Sequence, residues 1–347
     1  MNEGQLCSRC VLSSAFPGVL LRDGLCNFCR DWPSAEALKE RRERLAESMR
    51  VAIENARGSA EYDCVVAFSG GKDSSYTLMM LVREFGLNCL AVMVDNGFIS
   101  DQAIDNGKTV TSALGVDLVT YTPSFGFMKK MYVESLRNDA VHPKSAIRRA
   151  SSICNSCIGL INSYMMRTAA SHGIPLIAGG YIGGQVPKDA AVLRVDLETQ
   201  RTQRQAITER TIAAFGPAAR RHLGLGPPRP DGLAELVIIN PMLTVVMSEE
   251  EIVSALGEIG WKRTADTGLN SSNCTLNDLG ISVHHRRHRF HPYVFEISEQ
   301  IRAGVMTREA GLRRIGNVPP PSAASAQLRK LELDPATLAL PSDGEQH

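Results

Sequence analysis

The chain has 347 residues, of which 44% are hydrophobic and 22% are charged, and its formal net charge is +1 at pH 7. This length predicts one large or two modest domains with a sizeable core, and the balanced charge argues against a strongly basic nucleic-acid-binding protein, although a local basic patch stays open. No apolar run reaches membrane-spanning length and the N-terminus lacks the pattern of a signal peptide, so we expect a cytoplasmic protein without a membrane partner.

Four of the nine cysteines stand at the start of the chain in two Cys-x-x-Cys pairs, Cys7/Cys10 and Cys26/Cys29, which are separated by fifteen residues. This spacing is typical of four thiolates around tetrahedral Zn²⁺. We therefore expect a closed structural zinc knuckle over residues 1–33, whose folding energy comes mostly from the metal. A redox pair or a cluster is the competing interpretation. Residues 34–60 follow with a charged, helical pattern, which predicts a linker helix with a solvated face.

The next feature is a strand–turn–helix pattern. An apolar run, Cys64–Phe68, has the look of a buried parallel strand, and it continues through Ser69, Gly70 and Gly71 into a helical segment. Paired glycines let the backbone approach a ligand closely, and a helix N-terminus adds partial positive charge, so the turn suits phosphate oxygens. Lys72 supplies a full charge and Asp73 can help to hold Mg²⁺, while hydroxyls come from Ser69, Ser74 and Ser75. An ordinary glycine-rich turn is the alternative interpretation.

The motif does not have the Walker spacing. Ser-Gly-Gly-Lys-Asp-Ser-Ser instead resembles the PP-loop of the ATP pyrophosphatase family, whose members cleave ATP to AMP and pyrophosphate. The resemblance implies an enzyme that uses AMP to activate a carbonyl or carboxylate oxygen for displacement by nitrogen or sulfur. It also implies that ATP is bound by Ser69, Gly70, Gly71, Lys72, Asp73, Ser74 and Ser75.

Two later strands end in residues that could contact the nucleotide. Asp95 and Asn96 follow the buried strand that starts near Asn88, and ligands sit beyond the carboxyl ends of parallel strands. A simple turn explains the pair equally well, but the family resemblance favours nucleotide contacts. The strand from Ile174 has a glycine-rich exit that includes Gly179, a further ATP-binding candidate. Strands and helices alternate, which predicts a doubly wound, mostly parallel α/β sheet over residues 61–245. The family resemblance implies that this sheet forms a HUP-like PP-loop domain.

A central Cys-x-x-Cys pair, Cys154 and Cys157, extends the resemblance. Together with the knuckles and the PP-loop it looks like the N-acetyl sugar amidotransferases, and also like the PP-loop tRNA thiolation enzymes. In the latter, three cysteines hold a [4Fe–4S] cluster and leave one iron open to bind sulfide. The third ligand here would be Cys274, because Cys64 and Cys89 lie in apolar strands. A second zinc site, a catalytic persulfide and plain structural thiols remain open.

The C-terminal half is less specific. Residues 194–230 break the α/β rhythm and predict an insertion or a solvated surface excursion. Residues 246–316 predict a C-terminal helical segment that begins at a Ser248 cap. Its basic run, His284–His291, suggests either a positive patch for a phosphate- or carboxylate-bearing substrate or an interaction face. The Pro-, Ser- and Ala-rich residues 317–347 predict a disordered or loosely attached tail.

These features predict an ATP-dependent sulfurtransferase. Lys72 and the loop amides would stabilise the departing pyrophosphate and Asp73 would place Mg²⁺, while sulfur carried near Cys154, Cys157 and Cys274 would displace AMP. The acceptor is a small molecule, a sugar or a tRNA, and a sulfur donor is needed. One alternative is an amidotransferase that receives ammonia from a separate glutaminase subunit; the other is a nucleotide-binding adaptor without turnover. A homodimer is the default expectation.

Overall fold

The computed structural model describes residues 4–226 and 232–338 of the chain. The strands, in chain order, are β1 Leu21–Arg22, β2 Leu25–Cys26, β3 Cys64–Ala67, β4 Cys89–Val94, β5 Asp117–Tyr121, β6 Leu176–Ala178, β7 Val192–Asp196 and β8 Glu235–Ile239. The first two form a small antiparallel hairpin, and the other six form one sheet in the order β5-β4-β3-β6-β8-β7.

The helices cover both faces and one end of this sheet. In chain order they are α1 Asn27–Arg30, α2 Ala35–Ala56, α3 Lys72–Arg83, α4 Asp101–Leu114, α5 Phe125–Arg137, α6 Lys144–Ile147, α7 Ser152–His172, α8 Leu197–Phe215, α9 Ala218–Leu223, α10 Glu249–Gly257, α11 Asn277–His288, α12 Val294–Ala303, α13 Arg308–Gly316 and α14 Ser325–Leu331. Among the described residues, no helix combines the length and the apolar character needed to cross a membrane.

The sheet is parallel except at one edge. Strands β5, β4, β3, β6 and β8 all run in the same direction, and β7 pairs antiparallel with β8. The chain builds outward from β3 to β5 and then crosses to β6 on the other side, so β3 and β6 flank the topological switch point. In open α/β sheets ligands bind at that point, beyond the carboxyl ends of the strands. The prediction of a doubly wound, mostly parallel α/β sheet is confirmed.

The core divides between the two faces of the sheet. On one face Val65 packs with side chains of α5 and α7, such as Tyr132 and Leu160. On the other face Val66 packs with α2, α3 and α10. Because helices cover both faces, the central strands are apolar along their whole length, which explains the near-continuous hydrophobic runs in the sequence.

The edge strand β7 lies in the segment that the sequence suggests to be an insertion. Its burial alternates weakly and only Val195 is buried, so it lacks the apolar run of the central strands. The long helix α8 that follows begins at the cap residue Asp196, whose side chain accepts a hydrogen bond from the Thr199 amide. Residues 192–223 therefore extend the sheet and cover it.

The described part of the C-terminal tail, residues 317–338, is folded, whereas the sequence predicts disorder or loose attachment. Helix α14 packs Leu328 and Leu331 into the core, and Leu333 and Leu338 are buried after it. The Pro- and Ser-rich composition before the helix conceals this short apolar pattern, and burial of the leucines stabilises it. Residues 339–347 of the predicted tail lie outside the described residues.

The basic run at the end of α11 is partly buried and partly exposed. His284 and His291 are buried, and burial lowers the pKa of each to about 3, so both rings are neutral. Arg287 and His288 bind the Asp139 carboxylate at 2.6 and 2.8 Å. Arg287 and His288 thus join α11 to the turn that follows α5, whereas Arg286 and Arg289 are exposed, and both interpretations of the run stay predictions.

Candidate functional site

The loop between β3 and α3 has a backbone that only glycine adopts readily. Gly70 has a φ of +69°, and a Cβ atom placed there would lie 1.9 Å from the Ala103 carbonyl oxygen. The Gly70 carbonyl accepts hydrogen bonds from the Trp261 indole at 2.9 Å and the Asn106 amide at 3.4 Å. Residues from α4 and from the segment after α10 therefore hold the loop in one shape.

The polar groups of the loop already form a connected network. The hydroxyls of Ser69 and Ser74 lie 3.1 Å apart, and the Ser74 hydroxyl also accepts a hydrogen bond from the Ser69 backbone amide. The Lys72 amide donates to the Ser272 hydroxyl at 3.1 Å, and the buried Ser75 hydroxyl has no hydrogen-bond partner among the described residues. The first amides of a helix lack intrahelical partners, so the start of α3 offers donors to an anion.

A charged cluster stands at the first turn of α3. The Lys72 ammonium lies 2.8 Å from both Asp73 carboxylate oxygens and 3.9 Å from Glu249. Burial alone would lower the pKa of Lys72, but Asp73 and Glu249 raise it overall, so the side chain stays charged. Arg263 binds the Oε1 atom of Glu249 at 2.7 Å, and Arg314 binds its Oε2 atom at 2.5 Å. Although burial opposes ionisation, Lys72 and these arginines lower the pKa of Glu249 to about 2.

A second carboxyl group, Glu296, lies next to this cluster. It accepts a hydrogen bond from the Gln185 amide at 3.0 Å, and close approach of α12 leaves no room for a side chain at Gly184. Burial raises the pKa of Glu296 to about 7, despite the Gln185 hydrogen bond. A carboxyl group with this pKa can hold or release a proton near neutral pH.

The three central cysteines are brought together from distant parts of the chain. Cys154 and Cys157 are in the first two turns of α7, where Ser151 caps the helix and accepts a hydrogen bond from the Cys154 amide. Cys274 joins them because residues 98–100, after β4, pair with residues 273–275. The structure thus assembles the cysteine set that the family resemblance implies.

Amide and hydroxyl donors point at each of these sulfurs. The Asn96 amide lies 3.5 Å from the Cys157 sulfur and 3.8 Å from the Cys274 sulfur, so these two sulfurs are no more than about 7 Å apart. The Tyr132 hydroxyl lies 3.6 Å from Cys157, and the Tyr293 hydroxyl lies 3.8 Å from Cys154. Burial raises the pKa of Cys154 and Cys157 and raises that of Cys274 to about 12.

The three central sulfurs are spaced more widely than those of the four N-terminal cysteines. Among the described residues, only Cys7, Cys10, Cys26 and Cys29 form a group whose ligand atoms all lie within 4.8 Å of one another. The wider arrangement at Cys154, Cys157 and Cys274 leaves space between the thiols.

The four N-terminal cysteines have the geometry of a metal site. The sulfurs of Cys7 and Cys29 are 3.7 Å apart, as are those of Cys10 and Cys26. A tetrahedron with Zn–S bonds of about 2.3 Å has sulfur–sulfur edges of about 3.8 Å. All four side chains are buried, and the Cys26 amide donates to the Cys7 sulfur at 3.3 Å. The group is closed and able to hold a metal ion.

The polar residues after β4 and β6 occupy the same end of the sheet. The Asp95 carboxylate accepts from the Gly97 amide and the Asn96 side-chain oxygen accepts from the Phe98 amide, so both residues shape the turn. The Gly179 amide donates to the Ile239 carbonyl, and Gly180 packs against the backbone of Ser74 at the start of α3. In this structure the Asn96 amide faces the cysteines.

Helix α12 passes all parts of the site in sequence. Tyr293 reaches Cys154, Glu296 lies beside Lys72 and Asp73 one turn later, and Glu299 lines a cavity after a further turn. This cavity, of about 610 Å³, is bordered by Lys72 and Asp73 and carries the basic residues Arg41, Lys188 and Arg313. The cavity is also lined by the acidic residues Glu249, Glu250 and Glu299, so its walls carry charges of both signs.

Several of these residues are not predicted by the sequence analysis. They are Asn106, Tyr132, Glu249, Trp261, Ser272, Tyr293 and Glu296. Ser272 stands two positions before Cys274, which is the one sequence signal that could have identified it. The others reach the site only through the tertiary fold.

Comparisons with known proteins add one relative and three distant structures. No family model matches the chain. The uncharacterised protein MJ1599 of Methanocaldococcus jannaschii is 24% identical over 330 residues, which cover 93% of this chain and 98% of that protein. The U34-tRNA thiolase NcsA from Methanococcus maripaludis, with its [4Fe–4S] cluster, is 15% identical, with 86% of this chain and 81% of that chain covered and a TM-score of 0.32.

The other two structures are synthetases. The NMN synthetase of Francisella tularensis is 11% identical, with coverage of 89% and 99% and a TM-score of 0.36. The NH3-dependent NAD synthetase of Campylobacter jejuni is 13% identical with a TM-score of 0.31; 43% of this chain is covered, and the chain spans 58% of that synthetase. These TM-scores carry no functional argument. By its motif, and by the position of that motif at the switch point of the sheet, the chain resembles the PP-loop ATP pyrophosphatases.

Proposed function

We propose that this protein is an ATP-dependent enzyme that adenylates an oxygen of its acceptor, releases pyrophosphate and replaces the oxygen with sulfur. One observation carries the proposal. The hydroxyl of Ser272 accepts a hydrogen bond from the Lys72 amide, and Ser272 stands only two positions before Cys274. The same short segment therefore contacts both the three-cysteine site and the loop Ser69–Ser75, which we call the nucleotide loop. A sulfur nucleophile and an activated acceptor would meet there.

The loop supplies the groups that a triphosphate needs. The glycine-bent backbone and the first amides of α3 bind phosphate oxygens, and the Lys72 ammonium adds a full charge. Asp73, now paired with Lys72 at 2.8 Å, is positioned to bind the Mg²⁺ that arrives with ATP. The unpartnered Ser75 hydroxyl is a further polar atom in this turn.

The first chemical step breaks the bond between the α-phosphorus and the bridging oxygen. The acceptor oxygen attacks the α-phosphorus, and pyrophosphate leaves with the bonding electron pair. Lys72 and the loop amides stabilise the charge that develops on the leaving group, a contribution of several kcal/mol in comparable sites. A sulfur nucleophile from a donor then attacks the adenylated carbon, and AMP leaves.

The thiols of Cys154, Cys157 and Cys274 would hold a [4Fe–4S] cluster. The donor set fits, because three half-buried thiols come from neighbouring segments and amide and hydroxyl donors point at the sulfurs. When bound, such a cluster supplies an iron without a protein ligand as a place for sulfur. The chain's own residues orient the thiols: the Asn96 amide fixes two of them, and Tyr293 fixes the third.

The four-thiol group at Cys7, Cys10, Cys26 and Cys29 would hold Zn²⁺ in a structural role. All four coordination positions would be filled by protein, which leaves no open site for substrate. The knuckle stabilises helices that carry site residues.

Iron and sulfide analysis tests the sulfur step. We expect anaerobically reconstituted wild-type protein to be brown and to contain about four irons per chain beyond its zinc. The Cys274→Ala variant should lose most of this iron, whereas Cys89→Ala, which removes a buried strand thiol remote from the site, should keep it.

Two outcomes would redirect the proposal. Colourless protein that contains only zinc and turns over with ammonium ion would support the N-acetyl sugar amidotransferase alternative, with ammonia from a separate glutaminase subunit. Equal iron content in Cys274→Ala and wild type would contradict the assignment of this ligand.

A further inference from the structure

A second cavity lies at the carboxyl end of β5, on the far side of the cysteines from the nucleotide loop. Its volume is about 730 Å³, and it is enclosed by the turn after β5, the C-terminal half of α7, α8 and α9. The proposed reaction makes no use of it. The lining residues that matter here are Tyr121, Tyr164, Arg167, Arg201, Arg221 and His222.

The cavity collects three arginines and, among its described lining residues, no aspartate or glutamate. Arg167 stacks over the Tyr164 ring at 4.3 Å and donates to the Arg221 backbone carbonyl at 2.7 Å, so its guanidinium plane is held in place. The Arg201 Nε atom is buried and has no hydrogen-bond partner in the described part of the chain. A buried guanidinium donor without an acceptor favours an anionic ligand.

A neutral polar pair completes the wall. The Tyr164 hydroxyl lies 2.8 Å from the His222 Nδ1 atom, and the His222 ring stacks on Phe127 with 4.4 Å between ring centres. Burial, together with the charges of Arg221 and Arg167, lowers the pKa of His222. The ring therefore adds hydrogen-bonding atoms to the cavity rather than a further charge, and the positive field comes from the arginines.

The position of the cavity relates it to the reaction site. Tyr164 follows Cys157 by seven residues on α7, which places it two turns away, about 10 Å along the same side of the helix. The carbonyl of Tyr121 accepts a hydrogen bond from the Asp95 amide at 2.8 Å, so the cavity adjoins the polar end of β4. The cavity and the cysteines are therefore about 10 Å apart along one helix, with the buried Leu160 between them.

We propose that this cavity binds a phosphate ester of the acceptor substrate, with Arg167, Arg201 and Arg221 as its ligands; the link to an acceptor rests on the proposed function. Guanidinium groups bind phosphate oxygens bidentately, and no carboxylate among the described lining residues competes. An RNA backbone and a nucleotide-linked sugar both present this chemistry.

Direct binding measurements test the assignment. Binding of a fluorescein-labelled single-stranded oligoribonucleotide is measured by its fluorescence. Binding of uridine diphosphate N-acetylglucosamine is measured by calorimetry. The nucleotide loop is saturated with an ATP analogue that cannot be cleaved between the α and β phosphates. One of the two probes should bind to the wild type. We expect the double variant Arg201→Gln/Arg221→Gln to have at least tenfold lower affinity for that probe, because two charge-assisted contacts are lost.

A matched control separates a local contact from net charge. Arg210→Gln removes the same charge from α8 nine residues after Arg201, on the opposite, exposed side of the helix, and should stay within twofold of wild type. If RNA is the ligand, the salt dependence of the double variant should also flatten by about one unit of slope per arginine. Unchanged thermal unfolding of each variant confirms that the fold is intact.

Each result decides the proposal. Selective binding of one probe, weakened by the double variant and not by Arg210→Gln, supports it and identifies the source of the phosphate. Equal binding by wild type and double variant would overturn it, as would no binding of either probe to wild type. These measurements do not depend on iron content, so failure of the sulfur assignment and failure of the phosphate site remain distinguishable.

Discussion

Gly70 is the residue at which the nucleotide loop tolerates least change. Its φ of +69° favours glycine, and any Cβ atom would collide with the Ala103 carbonyl. We expect Gly70→Ala to lower the free energy of unfolding by about 2–4 kcal/mol and to abolish ATP binding, because the loop must shift to relieve both strain and collision. Thermal unfolding and ATP titration of the same preparation measure the two effects.

Gly115 provides the control for this substitution. It also has a positive φ, +65°, but a Cβ atom there would meet nothing within 4 Å. Gly115→Ala should therefore show the conformational strain alone, about 1 kcal/mol, with unchanged ATP binding. Equal effects of the two variants on ATP binding would show that the shape of the loop is not what the site requires.

The sequence alone identifies those site residues that lie together in one short stretch of chain. Ser69–Ser75 is recognisable because glycines, charge and hydroxyls stand side by side. Trp261 and Ser272 are not recognisable, because each lies about two hundred residues from the loop and contacts it through single hydrogen bonds. The pKa of Glu296 depends on burial, which no local pattern reveals.

Among the elements, the turn after α5 and the end of α11 are joined by a charged contact. Asp139 binds Arg287 and His288, and these partners lower the pKa of its carboxyl to about 2 although burial opposes them. Since the folded pKa lies below the unfolded value near 3.8, the carboxylate stabilises the protein above pH 4, and this contribution disappears as the pH falls toward 2.

We therefore expect Asp139→Asn to lose about 1–2 kcal/mol of unfolding free energy at pH 7. Urea unfolding between pH 7 and 4.5 should give a constant difference from wild type. The exposed pair Glu134–Arg137, 3.6 Å apart, is the control, because Glu134→Gln should cost less than about 0.5 kcal/mol. A difference that already shrinks between pH 7 and 5 would place the titrating group elsewhere.

The alternation of buried strands and helices explains why most of the sheet is predictable. Strands β3, β4 and β6 are apolar along their length because both faces are covered. Most residues of the edge strand β7 are exposed, so its sequence looks like that of a loop. Helix α14 follows a Pro-rich stretch whose composition suggests disorder. Both elements take their stability from tertiary contacts rather than from local sequence.

In the whole molecule, the N-terminal knuckle is coupled to the catalytic region through the C-terminal helices. Phe16 packs against Phe290 and Phe295, and Arg308 donates to the carbonyls of Cys7 and Cys10. Tyr293 and Glu296, which contact the site, are carried by the same helical region. Metal in the knuckle should thus stabilise residues far from the cysteines that bind it.

Removal of this metal should lower the Tm and reduce ATP turnover together. We expect Arg308→Ala, which loses both carbonyl contacts, to give a smaller decrease with full zinc content, and the exposed Arg313→Ala on the same helix to leave the Tm unchanged. Unaltered Tm and turnover in protein verified to be free of zinc would refute the coupling.

The most direct measurement of the central claim is the identity of the nucleotide product. ATP labelled at the α-phosphate is incubated with the protein and pooled RNA and sugar acceptors. We predict AMP and pyrophosphate, with a loss of at least about a hundredfold in Lys72→Ala and Asp73→Ala, because these side chains act on the charge that develops at the phosphates. Release of labelled ADP, or undiminished release of labelled AMP from either variant, would contradict the account.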